Sequence, residues 1–347
     1  VRASNLSISL AGTPSSGTIV KKAQNAPIAG LVLTAGQQSN VLITNLTLTC
    51  QAALASTGVA FGSAGALANC DQRIISLSLW DGSTQVGTAK APDTTTGAAQ
   101  ITNLNLTIPA GTSKTLTVAA TFSSTASTTA PFDKVAVGLA STSDVQAQDQ
   151  DSNTVTPTLA AGLTANANGA SPSVVQTILN SGTITFTADS HPVSTIVVAG
   201  KDVWVPFAQY KASAQFEAME IDRVAVLASS TAGLSSDNAV FSAIAVASGG
   251  AVKGQDILSS GTTGTKDIDL SSNKIVVPKD GSVNFQLWGK LSNIQSSSSV
   301  SGATSGVHRS GMAPALGLKS GLVSGEWDSN YAGSVLNIRT TGQASGE

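Results

Sequence analysis

The stretch DVQAQDQDSN offers the densest set of oxygen ligands in the chain: Asp144, Asp149, Asp151 and Asn153. A D-x-D-x-N spacing is how a loop begins to wrap carboxylate and amide oxygens around Ca²⁺. Thr154 stands where an EF-hand has its glycine, and the distal Glu is missing. The competing reading is a strand-end loop whose Asx side chains bond their own backbone. Calcium is the one cofactor this sequence nominates.

Nucleophilic chemistry has little to work with. No G-x-S-x-G elbow sits on a strand–turn–helix pattern. The chain has two histidines, His191 in ADSHPV and His308 beside a Ser-rich loop, both in loop contexts. Glycosidase chemistry needs two facing carboxylates, whereas the acidic residues here are few and scattered. The expectation is a protein that is not an enzyme. Trp80, Trp204, Trp288 and Trp327 fall one per predicted element, which reads as core or interface anchoring rather than a stacking platform.

Cys50 and Cys70 flank a loop of small residues, QAALASTGVAFGSAGALAN. With two cysteines, two histidines and no C-x-x-C, a zinc site of the usual Cys/His kind cannot be assembled in one chain. The pair reads as one disulfide, worth about 3 kcal/mol in the chain-entropy model. A disulfide implies an oxidising, extracytoplasmic setting. Three N-x-S/T sequons, at Asn5, Asn45 and Asn105, are candidate glycosylation sites and make glycans possible partners. No run of 18 apolar residues occurs, so no transmembrane helix is expected. The opening VRASNLSISL has no Met and no signal-peptide core, which reads as a processed mature chain.

The elements that must position these residues are strands. Apolar residues alternate with Ser, Thr or Asn in NLSISLAG (5–12), NVLITNLTLTC (40–50), IISLSLWDG (74–82) and KTLTVAATF (114–122). Period two with turn signals every 8–12 residues is the pattern of an all-β sandwich. The window 211–226, KASAQFEAMEIDRVAV, favours helix by local propensity. An internal repeat overrides it. Residues 17–49 align with 194–226, placing Met219–Ile221 opposite Val41–Ile43. Further pairs follow in order: 5–12 with 183–190, 76–87 with 242–254, and IPAGTSKTLTVAATFS (108–123) with VPKDGSVNFQLWGKLS (277–292). The last two are 135–141 with 314–320 and DQDSN (149–153) with EWDSN (326–330). The expected organisation is a sandwich over 1–165, a linker over 166–182 and a second sandwich over 183–347.

Only 11% of residues are charged and the net charge is −2, against about 25% charged in an average globular protein. That excludes a basic field for nucleic acid or anionic lipid. A Ser/Thr/Gly surface suits a protein covered by copies of itself or by glycans. Leu6, Ile8 and Leu10 alternate on the first strand, which a neighbour's open sheet edge could accept by β-augmentation. A head-to-tail contact of that kind does not close, so it propagates.

The segments ISLAGTP, TIVKKAQNAPIAGLVLTAGQQSNVLITNLTLT, LSLWDGSTQVGTAK and LNLTIPAGTSKTLTVAATFSS resemble tandem β-sandwich modules of cell-surface and filament proteins from uncultured small-genome bacteria. The resemblance covers most of the first copy and, more loosely, the second. It implies two tandem immunoglobulin-like, Greek-key sandwiches exported to the cell surface, with no catalytic residues. The expected function is a structural subunit of an extracellular homopolymer, with itself as partner. The runner-up is a secreted adhesin or carbohydrate-binding module.

Overall fold

A computed structural model describes residues 4–128, 130–188, 204–230, 241–257 and 264–291, with strand segments at 305–308, 315–317 and 323–324. The chain is mostly β-sheet and divides into two units, Val1–Asn180 and Ser181–Glu347.

In the first unit, β1 (Leu6–Leu10), β3 (Ala26–Ala35), β9 (Ser113–Phe122), β5 (Ile74–Asp81) and β6 (Thr84–Lys90) form one sheet in that order. A short strand, β12 (Pro157–Leu159), closes the free side of β1 in parallel. The second sheet is built on the long β4 (Val41–Ala53). It takes β7 (Ala98–Ile101), β8 (Leu106–Ile108) and β11 (Val145–Asp149) along its length, and runs on through β10 (Asp133–Gly138), β13 (Val175–Leu179) and β2 (Gly17–Val20). Period-two alternation decides the layering. Leu31, Leu33, Leu77, Leu79, Leu116 and Val118 from one sheet meet Val41, Ile43, Leu46, Leu48, Val135 and Val137 from the other in one buried cluster. The one α-helix among the described residues, α1 (Ala64–Ala68), is capped by the Ser63 hydroxyl and lies in the loop between β4 and β5.

Two expectations change here. Strand β1 stays in its own unit: Leu6 and Ile8 are each 1% exposed, Leu10 is half-buried, and β1 is paired on both sides. Its apolar face fills the core of the unit that carries it. The linker expected over 166–182 is also corrected, because β13 is an inner strand between β10 and β2. Its alternating Gln176 and Ile178 are buried, so the Gly/Asn/Pro signal before it marks a loop within the unit.

The second unit repeats the ladder. Strands β14 (Thr183–Ala188), β15 (Trp204–Gln215), β22 (Ser282–Leu291), β18 (Phe241–Ser248) and β19 (Ala251–Ile257) take the order of β1, β3, β9, β5 and β6. Even the bulge recurs, between Pro27 and Ala29 in one and between Pro206 and Ala208 in the other. Where β4 runs unbroken, this unit has β16 (Met219–Ile221) and β17 (Arg223–Ser230), paired with β20 (Gly264–Asp269) and β21 (Ile275–Val277). The helix-favouring window is therefore strand, as the repeat required. Phe285 fills the core, edge-on to Phe186 at 6.4 Å and tilted against Tyr210 at 5.7 Å.

The last strands, β23 (Ser305–His308), β24 (Ala315–Gly317) and β25 (Val323–Ser324), correct the end of the alignment. Val41 pairs with Ile108 and Asp149; Met219 pairs with Val277 and Gly317. Residues 315–317 therefore take the place of β11, not of 135–141. The counterpart of β10 is β23, which pairs with β17 as β10 pairs with β4. Asp328, Asn330, Trp327 and His191 lie outside the described residues.

The repeated turn also resolves. In each copy the amide three residues after the Pro returns to the Pro carbonyl at 3.1 Å: Thr112 to Pro109 and Gly281 to Pro278. The left-handed position is Gly111 (φ 67°) in one and Asp280 (φ 54°) in the other. Asp280 is held there by accepting the Phe216 amide at 2.8 Å.

Candidate functional site

The proposed calcium ligands do not converge. Asp144 Oδ2 accepts the amides of Ala140 at 2.6 Å and Ser141 at 3.0 Å, closing the 3₁₀ turn Thr142–Asp144. Asp149 Oδ1 accepts the amides of Asp151 at 2.9 Å and Asn153 at 2.8 Å. The Asn153 side-chain amide donates to both Asp149 oxygens, at 3.2 and 3.1 Å. The Asn153 backbone and side-chain bonds hold the Asp149 carboxyl below its ordinary pKa. The loop spends its acceptors on itself. Among the described residues no group of three or more His, Cys, Asp or Glu could hold a metal ion, and the calcium expectation is withdrawn.

Cys50 and Cys70 form a disulfide, both fully buried, with Cα atoms 5.9 Å apart. It ties β4 to the 3₁₀ turn Cys70–Gln72 and closes the loop carrying α1. Buried Gln51 organises the same end: Oε1 accepts the Gly62 amide, and Nε2 donates to the Asn166 and Ala170 carbonyls. Of the sequons, Asn5 and Asn105 are exposed, while half-buried Asn45 donates its side-chain amide to Gln146. No helix among the described residues is long and apolar enough to cross a membrane.

The informative surfaces are the outward faces of the two equivalent sheets. In the first unit, the residues alternating with the core ones across β1, β3, β9 and β5 are uncharged: Ser7, Ser9, Thr34, Ser113, Thr115, Thr117 and Thr121 carry hydroxyls, among Pro27, Gly30, Val32, Ala119, Trp80 and the exposed Ile75. Ser7 lies beside Thr34, and Thr34 beside Ser113, with their side-chain oxygens 2.7 Å apart. Ser9 neighbours Val32, which neighbours Thr115. Thr117 lies beside Trp80, whose Nε1 donates to Ser78 Oγ at 2.9 Å. No outward-pointing residue on these four strands is charged; the ion pair Lys114–Asp81 stands at the margin.

The same positions in the second unit carry different chemistry. Trp204 pairs with Lys290, Pro206 with Trp288, Gln209 with Gln286, and Lys211 with Asn284. These side chains alternate with the buried Ala208, Tyr210, Ala212, Phe285 and Leu287 and so face away from the core. Trp288 Nε1 donates to Gln286 Oε1 at 2.8 Å, and Gln286 Nε2 donates to Gln209 Oε1 at 2.7 Å. That relay fixes the indole on the sheet. Lys290 Nζ stands 6.0 Å from the centre of the Trp204 ring. Both indoles are half-buried. Reading the tryptophans as unclustered missed this, because Trp204 and Trp288 are 84 positions apart and meet only through the β15–β22 register. The signal was present in the repeat, where Trp288 stands opposite Ala119.

No family model and no curated protein matches the chain. Among solved structures, the secreted serine protease VesC from Vibrio cholerae is 9% identical; the alignment covers 87% of this chain and 50% of the protease, with a TM-score of 0.16. An anti-sigma factor domain-containing protein is also 9% identical, covering 76% of this chain and 75% of that one, with a TM-score of 0.22. This chain thus spans half the length of the protease. Overlap this low carries no inference about fold or activity.

Proposed function

We propose that the protein is a non-enzymatic structural subunit of an extracellular homopolymer, a filament or surface layer. In this reading its two units are tandem immunoglobulin-like sandwiches from one duplicated ancestor. The observation that carries the proposal is the uncharged, hydroxyl-rich face of the first unit, on β1, β3, β9 and β5. A protein that stays monomeric normally keeps charge on every broad face for solubility. An uncharged face of hydroxyl and apolar side chains buries against a copy of the chain at little desolvation cost, since each hydroxyl can find a partner across the contact and the exposed Ile75 is covered. The disulfide supports an oxidising compartment. Because β1 is retained in its own unit, assembly runs through faces and edges of folded subunits.

The test is negative-stain electron microscopy of the purified chain, with Thr115→Lys on the hydroxyl face and Ser83→Lys in the exposed β5–β6 turn as control. Regular assemblies should form with the native chain and the control and be lost with Thr115→Lys. A native chain that stays monomeric at high concentration refutes the proposal, and monomers retained on glycans would favour the adhesin reading.

A further inference from the structure

We infer that the outward face of β15 and β22 in the second unit is a binding platform for an anionic glycan. The first unit serves as an internal control. Its sheet has the same strand order and the same bulge, and at the matching outward positions it carries Pro27, Gly30, Val32, Thr115, Thr117, Ala119 and Thr121. A sandwich of this kind therefore has no structural need for aromatic or charged residues there. The second unit nevertheless places Trp204, Trp288, Gln209, Gln286, Lys211 and Lys290 at these positions.

The chemistry selects the ligand class. A pyranose ring presents an apolar face of C–H bonds, whose positive edge suits the negative face of an indole. Trp204 and Trp288 are diagonal neighbours on adjacent strands, with backbones about 7–8 Å apart, so they offer consecutive contacts along an extended chain. The amides of Gln209, Gln286 and Asn284 form a polar row next to them, suited to sugar hydroxyls. Among the described residues, the outward positions of β15 and β22 carry two charges, Lys211 and Lys290, and no carboxylate. That complements a sugar carrying carboxylate or phosphate and disfavours a neutral one. The platform is flat and open, which fits a polymer strand lying across it rather than a small molecule enclosed in a cleft.

The inference does not depend on the polymer proposal, and the experiment separates them. Isothermal titration of the full chain is run with oligogalacturonate, an oligosaccharide of phosphorylated mannopyranose and neutral maltohexaose. At least one anionic probe should bind and weaken as salt rises, with maltohexaose at least about tenfold weaker. Trp288→Ala should weaken the anionic probe by about tenfold or more and Lys290→Gln by about threefold, while Trp80→Phe in the first unit changes nothing. Thermal melts confirm that each variant is folded, and Lys211→Gln provides a second surface variant if Trp288→Ala is not. Failure of both anionic probes, equal binding of maltohexaose, or full binding by a folded Trp288→Ala overturns the inference. Glycan binding by a native chain that stays monomeric would refute the polymer proposal and leave this one standing.

Discussion

Asp133 is the most consequential polar residue in the first unit, and its removal can be worked through. The side chain is 1% exposed and accepts three hydrogen bonds. Oδ2 takes Arg73 Nε at 2.7 Å and the Ser127 amide at 2.9 Å, and Oδ1 takes the Ala55 amide at 2.8 Å. One carboxylate thus pins three loops at one end of the sandwich. Asp133→Ala leaves a guanidinium only 12% exposed without its partner and strands two amides. Breaking a buried pair from one side costs about 3–5 kcal/mol. For a unit of this size that lowers the melting temperature by roughly 6–20 °C. Differential scanning calorimetry of the full chain should show the loss in the first unit's transition. Asp133→Ala with Arg73→Met should recover part of it, because no charge is then left buried alone. A loss below about 1 kcal/mol, or a double variant no better than the single, refutes the reasoning.

Three further outcomes are expected. Cys50→Ser with Cys70→Ser should cost the first unit about 3 kcal/mol in a urea melt, and reduction of the native chain should reproduce it. Asp222, buried between β16 and β17 with Oδ1 unbonded, has its pKa raised chiefly by desolvation, against the pull of Lys274 and Arg223. A raised folded-state pKa means that stability is lost as pH rises through it. Asp222→Asn should therefore melt higher than native at pH 7, with the advantage shrinking as pH falls through the carboxylate range; a variant that melts lower at pH 7 contradicts this. Deleting residues 1–12 should unfold the first unit, seen as a lost calorimetric transition, because β1 carries Leu6 and Ile8 into its own core. A folded chain that merely fails to assemble would restore strand donation.

The sequence discloses strands more fully than it does sites. Alternation in NLSISLAG and KTLTVAATF named the buried residues, because one face of each strand meets the opposite sheet. The repeat placed Met219–Ile221 in a strand against local propensity, since tertiary pairing outweighs intrinsic preference. It misplaced 314–320, where Gly-Leu recurs in both copies but the ladder registers 315–317 with β11. Composition around 166–182 resembled a linker, although β13 keeps period two beneath it. The aspartates of 144–151 were legible as oxygen donors but not as a site, because backbone amides claim those oxygens once the turns fold. Trp204 and Trp288 show the converse: distant in sequence, they become neighbours through cross-strand register alone.

The hydroxyl face is where the account is most directly tested. Electron micrographs of the native chain and of Thr115→Lys, recorded at equal concentration, decide it. Regular assemblies from the native chain and dispersed single particles from the variant are the predicted result. Dispersed particles from both, or identical assemblies from both, would contradict a subunit that packs through this face.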